Sequence, residues 1–299
     1  MSKSRRPKIG LALGSGSARG LAHIGVLKML EKNQVPIDLI SGSSIGALIG
    51  GIYAATGTFK KLERIAKGIT KRKLLFLIDP LLKAPGLLKG KKVEKVIDSW
   101  VEGKKFKDLK IPFVAVATDL KTGQEVLLKS GKVSTAIRAS ISIPGIFNPV
   151  KIGNNWLIDG GVVSPIPASV VKQMGADIVI AVNLNARFSY DPINRLKQGI
   201  TSSTSKEKLS LVDIVTQTID IMEYKIIQSN LKEADVVITP KVNDISWAEY
   251  YNASKIIKLG EQATLKIIPK LKKIPWLKKI METKTPKSLT EYILDFLEL

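Results

Sequence analysis

Apolar and polar positions follow two alternating rhythms along this chain. From Lys8 to Leu13 (KIGLAL) an apolar run reads as a buried strand; a Gly-rich turn follows, and Leu21, Ile24, Leu27 and Leu30 then recur at helical spacing. Ile37–Ser41 (IDLIS) is a second short strand, and Ile45–Thr56 is a small-residue helix closed by Gly57. Further strands are expected at Pro112–Thr118, Gln124–Leu128, Asn155–Ile158, Asp177–Val182 and Asp235–Thr239. Helices are expected near Val133–Ser140, from Pro165 to Met174, where proline opens the helix, and over Leu209–Asn230. Helix and strand alternate throughout. This predicts an α/β fold with a mostly parallel central sheet covered by helices on both faces.

Two stretches break the rhythm. Residues 186–208 are polar and rich in Ser, Thr and Lys, which predicts a mobile surface loop. Residues 68–92 set Leu74, Leu75, Phe76, Leu77, Leu81, Leu82, Leu87 and Leu88 among lysines, which fits either an apolar lid or a helical flap packed on the core. Pro269 and Pro275 interrupt any long helix near the C-terminus. Without internal repeats or a clear linker, residues 1–240 read as one domain, with 241–299 a basic helical extension packed on it.

Charge changes this picture. The 299 residues carry 47 Lys plus Arg against 26 Asp plus Glu, a formal +21. Residues 60–110 hold 16 basic and 6 acidic side chains and residues 255–287 hold 10 and 2, so these two segments account for +18. Such basic faces suit an anionic membrane surface, approached through residues 68–92 and 255–287. Nucleic acid is not an expected partner, because no binding motif accompanies the charge and aromatics make up only 6% of residues. With no cysteine, no signal-like run and no uninterrupted apolar stretch of about 18 residues, the chain reads as cytoplasmic, peripheral at most to the inner membrane face. Oligomeric state is open.

Three motifs carry candidate chemistry. Gly14-Ser-Gly-Ser-Ala-Arg-Gly20 lies between a strand and a helix, where successive N–H groups and a helix N-terminus face an anion or an oxyanion. It also fits a dinucleotide turn, although Asp38 stands at the start rather than the end of the second strand. Gly42-Ser43-Ser44-Ile45-Gly46 is a GxSxG in a strand-to-helix setting, the signature of a nucleophile elbow presenting Ser44. The single histidine, His23, precedes that serine and reads as a packed imidazole, which leaves a carboxylate as base. Asn155-Trp-Leu-Ile-Asp159-Gly160-Gly161 offers one, at a strand end with permissive glycines behind it, though Asp-Gly-Gly is also a plain turn signal. No cluster of His, Cys or carboxylates has metal-ligand spacing, so neither metal nor cofactor is expected.

As a set, the three motifs resemble the patatin-like phospholipases, in particular small bacterial members allied to the neuropathy-target-esterase group. The resemblance spans roughly residues 8–240 and includes the linking stretch Ala136–Gly145 (AIRASISIPG). It implies a three-layer fold, Ser44 as nucleophile and Asp159 as its base. It further implies an oxyanion hole from the N–H groups of Gly16, Ser17 and Ala18, with Arg19 at the family's basic position, and Gly14, Gly20, Gly42, Gly46, Gly160 and Gly161 as motif glycines. Ser15 and Ser17 depart from the glycines of many members, but a serine N–H still donates. The implied activity is hydrolysis of a lipid or other acyl ester; the alternative is a lipid-binding regulator of weak activity. A free aspartate titrates at about 3.9, so Asp159 is expected to be ionised at neutral pH unless strongly desolvated, with activity falling in acid.

Overall fold

The computed structural model describes residues 6–70, 72, 80–81, 84–185 and 211–283. Its centre is an eight-stranded mixed sheet. β1 (Ile9–Leu13), β2 (Leu39–Ser43), β5 (Phe113–Asp119), β9 (Ile178–Val182) and β10 (Val236–Ile238) run parallel in the order β10-β9-β1-β2-β5. β6 (Glu125–Leu128) and β8 (Asn155–Asp159) pair antiparallel with β5, and β7 (Val150–Ile152) pairs antiparallel with β8. Outside the sheet, β3 (Pro80–Leu81) and β4 (Ala84–Leu88) form a small antiparallel ribbon.

Side-chain alternation along the central strands sorts the core into two layers. Ile9, Leu11 and Leu13 of β1 and Ile180 and Val182 of β9 join one apolar cluster, while Ala12, Val179 and Ala181 join another. The first cluster is covered by α1 (Ala22–Lys32), α2 (Ile45–Thr56), α3 (Phe59–Lys67), α4 (Lys91–Trp100) and α5 (Val133–Ser140). The second is covered by α6 (Ala168–Gln173) and α7 (Leu211–Asn230). α8 (Ala253–Leu271) and α9 (Pro275–Thr283) add Ile256, Ile257, Ile268, Leu271, Leu277 and Met281 to the first cluster, so the basic C-terminal segment shares the main core. α8 and α1 meet backbone to backbone: a Cβ on Gly25 would collide with the Ile257 carbonyl, and one on Gly260 with the Ala22 carbonyl. Lys28 of α1 then bonds Glu63 of α3 at 3.3 Å and Glu261 of α8 at 2.9 Å, holding three helices of this layer side by side.

Several expectations are refined. The second strand begins two residues later than read and runs through Ser43, and the segment between Gly57 and Pro112 includes the helices α3 and α4. Within 68–92, residues 80–81 and 84–88 are strands and not a helical flap; Leu74–Leu77 and the 186–208 loop lie outside the described residues. Pro269 is accommodated two residues before the end of α8, and Pro275 opens α9. No helix among the described residues is long and apolar enough to cross a membrane.

One register decides the chemistry. β6 occupies one edge of β5 along Ala115–Thr118, so β8, which pairs with Ala117–Asp119, must use the other edge. That edge is β2's as far as Val116, which pairs with Ser43, and the next residue, Ala117, pairs with Asp159. β2 and β8 therefore arrive end to end from opposite directions, and Ser44 meets Asp159.

Candidate active site

Ser44 leaves β2 with φ 54° and ψ −124° before α2 begins. This left-handed backbone in a residue with a Cβ costs roughly 1–3 kcal/mol and matches the strained turn that the GxSxG pattern predicts. Its Oγ donates to Asp159 Oδ2 at 2.6 Å, and its N–H donates to Ser140 Oγ at 3.0 Å. Ser140 in turn donates to the Val116 carbonyl at 2.6 Å, fixing the elbow to β5. Asp159 Oδ1 accepts the Gly161 N–H at 2.8 Å, and the Asp159 N–H donates to the Ser142 carbonyl at 3.0 Å. Ser140 and Ser142 both lie in the 136–145 stretch singled out from the sequence, which named neither.

Asp159 is 3% exposed, and burial pushes its carboxyl up to about 7 against the opposing pull of the Ser44 and Gly161 hydrogen bonds. The free-aspartate value is thus too low for this site. His23 is fully buried, donates from Nε2 to the Gly14 carbonyl at 2.7 Å, and is held down to about 4 by burial. It is a neutral imidazole whose hydrogen bond braces the Gly-rich turn.

That turn places φ 144° on Gly16 and φ 50° on Ser17, so the serine itself adopts a left-handed backbone. The other motif glycines are needed for close approach instead. A Cβ on Gly46 would strike the Leu13 carbonyl; additions at Gly14, Gly42 and Gly160 would meet the Val182, Gly46 and Val116 carbonyls, and at Gly20 and Gly161 the Ile45 and Glu223 side chains. The N–H groups of Gly16 and Ser17 have no acceptor among the described residues, whereas that of Ala18 donates to the Trp247 carbonyl at 3.1 Å. Ala18 is therefore engaged elsewhere, contrary to its expected place in the hole. The Arg19 N–H closes the turn on the Gly16 carbonyl at 3.1 Å, and its guanidinium contacts the same carbonyl and Asp220 of α7 at 2.8 Å. Arg19 thus fixes the turn to α7.

Two cavities meet at Ser17 and Ser44. The larger, about 260 Å³, is apolar and runs along α2 past Ile45, Leu48, Ile49 and Ile52, walled by Leu62 and Ile65 of α3 and Val93, Ile97 and Trp100 of α4. Leu88, from the segment read as a lid, lines it too. The smaller, about 30 Å³, is polar and bounded by Gly16, Asp159, Asp220 and Glu223. Asp220, Glu223 and Trp247 went unrecognised in the sequence. The only signal for the first two was a pair of carboxylates three apart in an otherwise apolar helical pattern.

A family model described as patatin-like phospholipase matches residues 11–172, more than half of the chain. The chain is similar to an uncharacterized NTE family protein of Mycobacterium bovis, 42% identical over 182 residues that make up 61% of this chain and 50% of that protein. It is also similar to lysophospholipase NTE1 of Debaryomyces hansenii, 32% identical over 192 residues, 62% of this chain and 12% of that protein. The chain thus spans about half the length of the NTE family proteins it matches. In fold it is similar to the crystal structure of VipD from Legionella pneumophila, with a TM-score of 0.50 at 14% identity over 89% of this chain and 67% of that one. The extent of the family-model match places the site in context: this chain belongs to the patatin-like phospholipase family.

Proposed function

We propose that the chain is a serine hydrolase of lipid acyl esters, with Ser44 as nucleophile and Asp159 as general base. The observation that carries this reading is the 2.6 Å Ser44–Asp159 hydrogen bond at the junction of an apolar and a polar cavity. The acyl tail occupies the apolar cavity along α2, which brings the ester carbonyl to Ser44 Oγ and the N–H groups of Gly16 and Ser17. As Oγ bonds to the carbonyl carbon, its proton passes to Asp159 Oδ2 and the two N–H groups stabilise the oxyanion. Collapse of the tetrahedral intermediate expels the alcohol, which takes the proton from Asp159. Water then attacks the acyl-enzyme with Asp159 again as base, releasing the fatty acid and restoring Ser44. The polar cavity is large enough for a water molecule at that position.

The family's name and that of the yeast relative, a lysophospholipase, support a lipid substrate. The basic segments suit peripheral contact with an anionic membrane that presents it. The test is hydrolysis of p-nitrophenyl esters of graded chain length, together with labelling by a fluorophosphonate. Wild type is expected to hydrolyse and label, Ser44→Ala to do neither, and Asp159→Asn to lose about 10²–10⁴ in rate. Folded wild type that neither labels nor hydrolyses at any chain length would leave a lipid-binding role in place of the enzyme.

A further inference from the structure

We propose that Glu223, on the inner side of α7, is a positioning residue that ties the Gly14–Gly20 turn to the Asp159–Gly161 turn and so sets the geometry between oxyanion donors and dyad. The inference rests on the hydrolase reading of this site.

Three segments distant in sequence converge on one point. The position that a Cβ of Gly161 would take is blocked by Glu223 Oε1 and lies 3.1 Å from both Asp159 Oδ1 and Ser15 Cβ. Glu223 is 4% exposed and lines the polar cavity together with Gly16, Ser17, Ser44 and Asp159. Its Oε2 accepts from Asn185 Nδ2 at 2.8 Å, adding the segment after β9 to the same carboxyl. The buried Ser15 hydroxyl lies beside it and finds no other partner. One helix turn away, Asp220 pairs with Arg19, so α7 grips the Gly-rich turn at two points.

The surroundings of Glu223 favour its uncharged form. The charged groups facing Glu223 are Asp220 on its own helix, Asp159 from β8 and Arg19 from the Gly-rich turn, and Arg19 is already paired with Asp220. Burial first and Asp220 second push the Glu223 carboxyl well above its usual range, opposed by Ser15 and Arg19. The carboxyl accepts from the Ser15 hydroxyl, which is why Ser15 opposes the shift, and its Oε2 accepts from Asn185. Ionisation would place a second negative charge beside Asp159 and next to the developing oxyanion, so activity should fall as rising pH removes the Glu223 proton.

Glutamine keeps the neutral shape, a donor and an acceptor, whereas leucine keeps bulk alone. Glu223→Leu is expected to lose about 10²-fold in kcat on a soluble ester with KM little changed, as a misplaced site would. Glu223→Gln is expected to restore kcat to within about threefold of wild type and to keep its rate at alkaline pH where wild type declines. A second readout needs no activity. The folded pKa lies above the unfolded one, so wild type loses the Glu223 contribution to stability as pH rises while the Gln variant has none to lose; the Tm of Glu223→Gln over wild type should widen from about pH 5 to about pH 9. The proposal is overturned if Leu matches wild type, if Gln is as impaired as Leu, or if the Tm gap stays flat across pH. Failure of the hydrolase reading looks different: wild type would not label with a fluorophosphonate, or Ser44→Ala would keep full activity, while the Tm series would still report on Glu223.

Discussion

A carboxylate that takes a proton from a serine hydroxyl is most effective when its own pKa lies near ambient pH. Asp159, pushed up to about 7 by burial, is tuned in that direction. kcat/KM on a soluble ester is therefore expected to rise with pH through the region around 7, and a profile flat down to about pH 5 would remove Asp159 as the base. The same shift fixes a stability sign. Because the folded pKa exceeds the unfolded one, the contribution of Asp159 is complete below about pH 4 and is lost as pH rises through about 7. Asp159→Asn should thus be strongly impaired yet melt above wild type at about pH 8, with the gap closing toward about pH 4; equal melting at both values would contradict the burial argument. Ser44, Asp159 and the motif glycines were legible in sequence because each motif joins a reactive residue to the small neighbours its turn needs. Glu223, Ser140 and Trp247 were not, because they reach the site only through tertiary packing. Ser140 lies 96 residues from the serine whose N–H it accepts.

At the scale of elements, α2 both follows directly on the Ser44 turn and walls the apolar cavity. Ile45, Leu48, Ile49 and Ile52 follow helical spacing along one side of that helix, so the cavity extends from Ser44 to Ile52. Eight residues at about 1.5 Å each give about 12 Å, room for an extended acyl tail of roughly eight to ten carbons. Ile52→Trp should move the preferred p-nitrophenyl ester to a shorter chain while labelling by a small fluorophosphonate is retained; an unchanged chain-length profile would place the tail elsewhere. The α1–α8 crossing tests packing in the same way. In an exposed helix Gly→Ala gains about 0.8–1 kcal/mol of propensity, but at Gly260 the new methyl meets the Ala22 backbone carbonyl, and overpacking of about 1–3 kcal/mol outweighs that gain. Gly260→Ala should lower Tm; a rise would mean the helices part without cost. The parallel strands and their helices could be read from apolar runs. α3 and α4 could not, because lysines crowd the amphipathic spacing of Phe59, Leu62 and Ala66 and of Val93, Ile97 and Trp100.

Across the whole molecule, the charge that looked segmental in sequence becomes sided. α1, α3, α4, α8 and α9, all on the main core, carry 15 basic and 6 acidic side chains, whereas α6 and α7 on the opposite face carry 2 and 3. Sequence alone located the lysines, but only the stacking of α3, α1 and α8 through Lys28 puts their segments in one layer. The apolar cavity lies in that same layer, walled by α2, α3 and α4. An anionic bilayer should therefore attract the face through which an acyl tail would enter, each lysine near the surface contributing about 1 kcal/mol at low salt. Exposed Lys60, Lys91 and Lys95 stand on the outer sides of α3 and α4. Reversing all three to glutamate should release the protein from phosphatidylserine vesicles and slow hydrolysis of an ester embedded in them, while the rate on a soluble short-chain ester holds. Reversing Lys172 and Lys225 on α6 and α7 should alter neither. Vesicle binding by wild type should weaken as salt rises from about 0.05 M to about 0.5 M, since the screening length falls well below about 10 Å over that range. Binding that ignores salt, or that the two reversals weaken equally, would show that association is not directed by this face.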